Sequence, residues 1–142
     1  MIIYKQTIDE SELKRAFEVR TKVFIEEQGI SKEEEWDGLD DTAIQFVAKD
    51  NDKIVATARV RFPAADYAKI ERMAVLKPFR RKGVGKKLLN AIEENLASRH
   101  IPQAVLHSQW SVVKFYQSCG YEEIGQPFFE ADIKHIKMQK EL

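Results

Sequence analysis

The sequence predicts an α/β domain in which one mixed, mostly antiparallel sheet is flanked by helices. Three observations lead there. Short apolar runs bounded by turn residues recur along the whole chain, at residues 2–7, 44–49, 53–62, 69–75, 104–107, 121–125 and 133–139. In the first half such runs follow one another, whereas in the second half they alternate with segments of helical spacing. No repeat, low-complexity tract or linker divides residues 1–142, so a single domain with a real core is expected.

Each element has a local reason. Ile2 to Thr7 reads as a first strand. Asp9 with Glu12 three residues later forms a capping box, and Leu13, Phe17, Arg20 and Phe24 then recur on one helical face to about Gln28-Gly29. The acidic piece from Ser31 to Asp41 reads as a loop with a short helical turn. Ile44–Lys49 and Lys53–Phe62 are strands joined at Asp50-Asn51-Asp52, with Pro63 closing the second. Lys69–Val75 is a further strand. From Gly83 to about Arg99, Val84, Leu88, Leu89, Ile92 and Leu96 share one helix face. After the strand Ala104–His107, Ser111 caps a helix carrying Val112, Phe115, Tyr116 and Cys119, which Gly120 ends. Tyr121–Gly125 and Ile133–Gln139 are the last two strands.

Composition removes several function classes. The 23 basic and 23 acidic residues cancel, so no global field recruits nucleic acid or an anionic membrane. No apolar run reaches the length of a membrane span, and Met1-Ile2-Ile3-Tyr4-Lys5 lacks a signal-peptide pattern. Cys119 is the only cysteine, which excludes an intramolecular disulfide and a cysteine metal cluster. His100, His107 and His135 are far apart and make no local metal motif. A cytoplasmic location is the expectation.

The segment from Met73 to Leu89 carries the strongest functional signal. An apolar strand end leads through a basic loop into an amphipathic helix, and Gly83 and Gly85 sit at the turn. Glycine lets backbone approach a ligand closely, and the free N–H groups of a helix start attract anions. A pyrophosphate site follows, but not either of two common ones. A Walker A loop would need glycine at Arg80 and a hydroxyl at Lys87, and a dinucleotide fingerprint would need a small residue at Leu88.

Arg80-Arg81-Lys82-Gly83-Val84-Gly85 resembles the Arg/Gln-x-x-Gly-x-Gly/Ala signature of the GNAT superfamily of N-acetyltransferases. Glu71-Arg72-Met73-Ala74-Val75 resembles its central strand, and Phe115-Tyr116 with Gly120-Tyr121 resembles its C-terminal helix and strand. Arg20, Val23-Phe24, Glu27-Gln28, His107, Gln109, His135 and Met138 are similar to the ElaA-like branch, which has Gln109 where many members carry Asn.

The resemblance implies acetyl-coenzyme A (acetyl-CoA) as cosubstrate and a primary amine, on a small molecule or a protein, as acceptor. It further implies a GNAT-like fold over residues 1–142 and leaves the oligomeric state open between a monomer and a homodimer, the superfamily often dimerising through its later strands. Backbone N–H groups of residues 81–86 would hold the pyrophosphate, with Arg80, Arg81, Lys82 and Lys86 adding charge around Gly83, Val84 and Gly85. Met73, Ala74 and Val75 would pair with the pantetheine arm as a neighbouring strand does, one N–H polarising the thioester carbonyl. Tyr116 would protonate the departing thiolate.

The base is open between Glu71, which a regular strand places on the same face as Met73, and His107. Arg20 lies in an apolar stripe, so it must snorkel, pair with a carboxylate such as Glu27 or Glu71, or meet a ligand. Arg20, Glu27, Gln109 and His135 are the acceptor-site candidates, and an acidic wall drawn from residues 26–41 would favour a cationic amine. Two rival classes stay open: a non-catalytic acyl-CoA sensor, and a phosphate-binding interaction domain without thioester chemistry.

Overall fold

The computed structural model describes residues 1–142. Its elements are β1 (Ile2–Thr7), α1 (Glu10–Arg20), α2 (Lys32–Glu35), β2 (Ile44–Asp50), β3 (Lys53–Ala64), β4 (Tyr67–Val75), α3 (Val84–Ser98), β5 (Gln103–Gln109), α4 (Val113–Ser118), β6 (Glu122–Glu130) and β7 (Ile133–Glu141). The seven strands form one sheet in the order β1-β2-β3-β4-β5-β7-β6. All neighbours are antiparallel except β4 and β5, which α3 connects as a crossover.

The sheet carries a helix on each face. Leu88, Leu89, Ile92 and Leu96 of α3 pack on Phe46, Ala56, Ile70, Leu106 and Met138. On the opposite face Ala16, Val19, Val23 and Phe24 pack on Val47, Ile54, Ala74 and Leu76. Each fully buried aliphatic side chain of this kind stabilises the fold by about 1.5–3 kcal/mol, which fixes both helices against the sheet.

Several local expectations are modified. Asp9 accepts a hydrogen bond from the Glu12 N–H at 2.9 Å, but the Glu12 carboxylate turns to Thr7, Lys5 and Lys49 instead of closing a capping box. The helix after Asp9 does run to Gln28, its last part (Thr21–Glu27) in π-helical form. Strand β3 continues through Pro63 to Ala64, and β6 passes Gly125 and Pro127 to reach Glu130. Ser111 caps no helix: it lies in the 3-10 turn Trp110–Val112, and α4 starts at Val113 without a side-chain cap.

The feature that makes the site is a fault in β4. Thr57 pairs with Ala74 but Arg59 pairs with Glu71, so β4 holds one extra residue there. Arg72 takes the strain at φ +54°. The bulge reverses the alternation: Ile70 faces α3, and beyond the bulge Met73 and Val75 face that side while Ala74 and Leu76 face α1. The expectation that Glu71 shares a face with Met73 is therefore wrong. Pairing of β4 with β5 stops at Ile70 opposite Leu106, and beyond that point the sheet splits.

Candidate active site

The split opens into a cavity of about 1040 Å³. One end is formed by the start of α3, with Gly83 in the left-handed region at φ +79° and no side chain capping the helix. The first intrahelical bond there is from the Lys87 N–H to the Gly83 carbonyl at 3.0 Å. The N–H groups of Gly83, Val84, Gly85 and Lys86 thus lack helical partners, and all four residues line the cavity. Gly85 has a packing reason as well: a Cβ there would stand 3.3 Å from Phe115 Cζ and 3.7 Å from Val75 Cγ2.

The basic side chains of this end divide. Arg80 donates from Nε to the Val75 carbonyl at 2.8 Å and from Nη2 to both Glu27 carboxylate oxygens at 2.9 and 3.0 Å. It clamps the loop to β4 and to the end of the π-helical segment. Arg81 and Lys86 line the cavity. Lys82 does not, its Nζ lying 6.0 Å from the Phe79 ring. Met73, Ala74 and Val75 form one wall.

Tyr116 on α4 donates its hydroxyl proton to Met73 Sδ at 3.7 Å, across from that wall. Phe115 and Tyr121 hold the ring edge-on at 5.0 and 6.0 Å. Burial pushes the phenol up, so it stays a proton donor throughout the neutral range.

Glu71 is enclosed by cations. It accepts from Arg59 Nε at 3.0 Å and from Arg61 Nε and Nη2 at 2.9 and 2.8 Å, and Lys69 Nζ stands 3.1 Å away. Burial pushes its carboxyl up, but the hydrogen bond from Arg61 and the charges of Arg59 and Lys69 outweigh that and hold it at about 2. Arg59 also binds Asp37 through Nη1 and Nη2 at 2.8 and 2.9 Å, holding that carboxyl well below the usual range.

Arg20 is fully buried and paired, but not with Glu27 or Glu71. Its Nε donates to Glu35 at 2.7 Å and its Nη1 to Asp40 at 2.6 Å, and its guanidinium lies 4.6 Å from the Trp36 ring centroid. The acidic segment thus supplies the partners of a buried cation, as a charge in an apolar stripe requires. Arg20 and Glu27 do not line the cavity.

The opposite wall comes from β5, β6 and β7. His107 Nδ1 lies 2.7 Å from a carboxylate oxygen of Glu130. His135 donates from Nδ1 to the Ile133 carbonyl at 2.7 Å. The Phe128 ring sits between the two imidazoles, edge-on to His107 at 5.0 Å and stacked on His135 at 6.0 Å. Gln109 donates to Gln28 at 2.8 Å, joining the end of β5 to the end of the π-helical segment.

Residues 6–142 match the family described as the acetyltransferase (GNAT) domain. The chain belongs to the GNAT acetyltransferases. Acetyl-CoA is the cosubstrate of that family, and its members act on amines. Over 134 residues this acetyltransferase is 37% identical to the uncharacterised N-acetyltransferase YjcF of Bacillus subtilis, covering 94% of this chain and 95% of that one. Its fold matches a provisionally named N-acetyltransferase of Lactobacillus plantarum with a TM-score of 0.93, at 28% identity over 99% and 98% of the two chains. Escherichia coli ElaA matches with a TM-score of 0.85, at 26% identity over 99% of both chains.

In this acetyltransferase the residues singled out from sequence fall into three groups. Those of the loop and central strand gather at the cavity with Tyr116, apart from Lys82, while Arg80 is tied into the scaffold. His107, Gln109 and His135 line the other wall. Arg20 and Glu27 serve as structural ion pairs. Sequence reading missed Glu130 and Phe128, which lie beyond the expected end of β6, and the signal for them was the aromatic pair Phe128-Phe129, residues that favour strands. No helix is long and apolar enough to cross a membrane.

Proposed function

We propose that this protein moves an acetyl group from acetyl-CoA to a primary amine by direct attack within a ternary complex. The observation that carries this reading is the uncapped start of α3 opening into the same cavity as the Tyr116 hydroxyl and the free length of β4. Four unpartnered N–H groups, with no Cβ at Gly83 or Gly85, make a cradle that suits a pyrophosphate. Arg81 and Lys86 add positive charge at that end. When bound, acetyl-CoA supplies an activated acyl group, so that amine and thioester become amide and thiol with release of the ammonium proton.

The chain's own groups then have separate tasks. A backbone N–H of residues 73–75 polarises the acyl oxygen, an interaction that strengthens as charge develops there. His107 Nε2 takes the proton of the incoming ammonium, since Glu71 is held as a carboxylate too weakly basic for the task. Tyr116 donates its hydroxyl proton to the sulfur as the carbon–sulfur bond breaks, and the proton lost from the acylated nitrogen restores the phenol. No residue forms an acyl intermediate.

Glu33 and Glu34 of α2 line the cavity without a cationic partner, which favours an acceptor carrying a second positive charge. Thiol release with spermidine, kanamycin, L-lysine and a peptide with a free N-terminus tests the proposal. Amine-dependent release, strongest with spermidine or kanamycin, is expected. Stabilisation by acetyl-CoA without release for any amine would make the protein a sensor of the thioester instead.

A further inference from the structure

We propose that Glu130 is a positioning residue that orients His107, so that Nε2 presents its lone pair to the acceptor. The inference rests on the reading of His107 as the base, and concerns how that base is prepared. A carboxylate accepts hydrogen bonds and donates none. The 2.7 Å contact of Glu130 with Nδ1 therefore fixes the proton on Nδ1 and leaves Nε2 as the basic nitrogen of the neutral ring. The Phe128 ring, edge-on at an interplanar angle of 77°, restricts rotation about the remaining torsion.

The location fits a role in the reaction. His107 is one residue beyond Leu106, the last β5 residue paired with β4, so it stands at the root of the split. Glu130 lines the same cavity although it comes from β6, on the far side of β7. Two devices bring it there. A register shift between Ile124 and Phe128 sets Phe128 opposite His135, and the tight turn Ala131-Asp132 has both residues at positive φ, 49° and 60°. Glu130 is the last residue before that turn.

The charged neighbourhood distinguishes Glu130 from Glu71. Three cations converge on Glu71, whereas the hydrogen bond of Glu130 is to His107 alone. That bond is the main influence holding the Glu130 carboxyl below its ordinary value against the effect of burial. The charged and titratable groups on the His107 side are Glu130 from β6, His135 and Lys137 from β7, and Lys69 and Glu71 from β4, which line the same cavity or, for Lys137, pair directly with His107. An imidazolium formed when Nε2 accepts a proton keeps its Nδ1 bond, and its charge is then balanced by the Glu130 carboxylate already in place.

Nitrogen-15 imidazole spectra of the full chain with acetyl-CoA test this, using Glu130→Ala and Glu130→Gln. In the unaltered protein His107 is expected in the Nδ1–H form. The Ala variant loses that preference, whereas the Gln variant keeps part of it, because an amide oxygen still accepts from Nδ1–H. With the amine that releases most thiol among the four above, kcat of the Ala variant falls about tenfold, less than the roughly 100- to 10,000-fold a positioned acid–base group supplies because His107 itself stays in place, while KM for acetyl-CoA is unchanged. An unaltered His107 tautomer in the Ala variant, or in Glu130→Leu should Ala fail to fold, overturns the inference. Unaltered turnover in His107→Gln instead overturns the assignment of the base.

Discussion

Replacing Glu71 with Gln separates a structural carboxylate from a catalytic one. The side chain is 9% exposed, and Arg59, Arg61 and Lys69 all stand within 3.1 Å of it. These cations hold its pKa at about 2 against an ordinary 4.5, a preference for the charged form of about 3 kcal/mol in the folded chain. Because the folded value is the lower one, this stability is present in full above pH 4.5 and is lost as the pH falls through 2. At pH 3 about 1 kcal/mol remains. Glu71→Gln is therefore expected to lower Tm by about 10 °C at neutral pH, taking about 3 °C per kcal/mol for a chain of this size. The difference between the two proteins should shrink to about a third by pH 3. Circular dichroism melts from pH 7 to pH 3 read both numbers, and thiol release below the melting range reads turnover, expected within about threefold of the unaltered protein. A variant that melts at the unaltered temperature but has lost most of its turnover would refute the reasoning and restore Glu71 as the base.

Two other substitutions probe the cavity. Gly85→Val places a branched side chain where even a Cβ meets Phe115 at 3.3 Å, and should weaken acetyl-CoA binding at least about tenfold by calorimetry, the cradle being displaced rather than discharged. Tyr116→Phe keeps the ring packing against Phe115 and Tyr121 but removes the proton, so single-turnover transfer should slow about a hundredfold with acetyl-CoA affinity changed less than about twofold.

What could be read from the sequence was mostly local chemistry. Gly83 and Gly85 among cations, at a strand-to-helix junction, predicted an open, uncapped helix start, because turn geometry and charge are properties of adjacent residues. The apolar period of residues 84–96 gave α3 and its buried face for the same reason. The partners of Arg20 were not legible. Glu35 and Asp40 lie in a segment without periodicity, and only the fold of the chain between α1 and β2 sets them around the guanidinium. The bulge at Arg72 was equally hidden, since nothing in Glu71-Arg72-Met73 forbids a regular strand, and it moved Glu71 to the other face. Glu130 was lost because Gly125 and Pro127 look like an end, whereas they lie within a register shift that the strand survives. The loop-and-strand side of the cavity was thus written in neighbours along the chain, and the opposite wall in neighbours across the sheet.

The central claim is that the start of α3 and the open length of β4 form one acetyl-CoA site. Calorimetric titration of the full chain with acetyl-CoA tests it most directly, run beside Gly85→Val and beside ATP as a phosphate-bearing control. Saturable binding of one acetyl-CoA per chain, weakened at least about tenfold in Gly85→Val and not reproduced by ATP, is the predicted result. Absence of saturable binding, or binding equally tight in Gly85→Val, would contradict it.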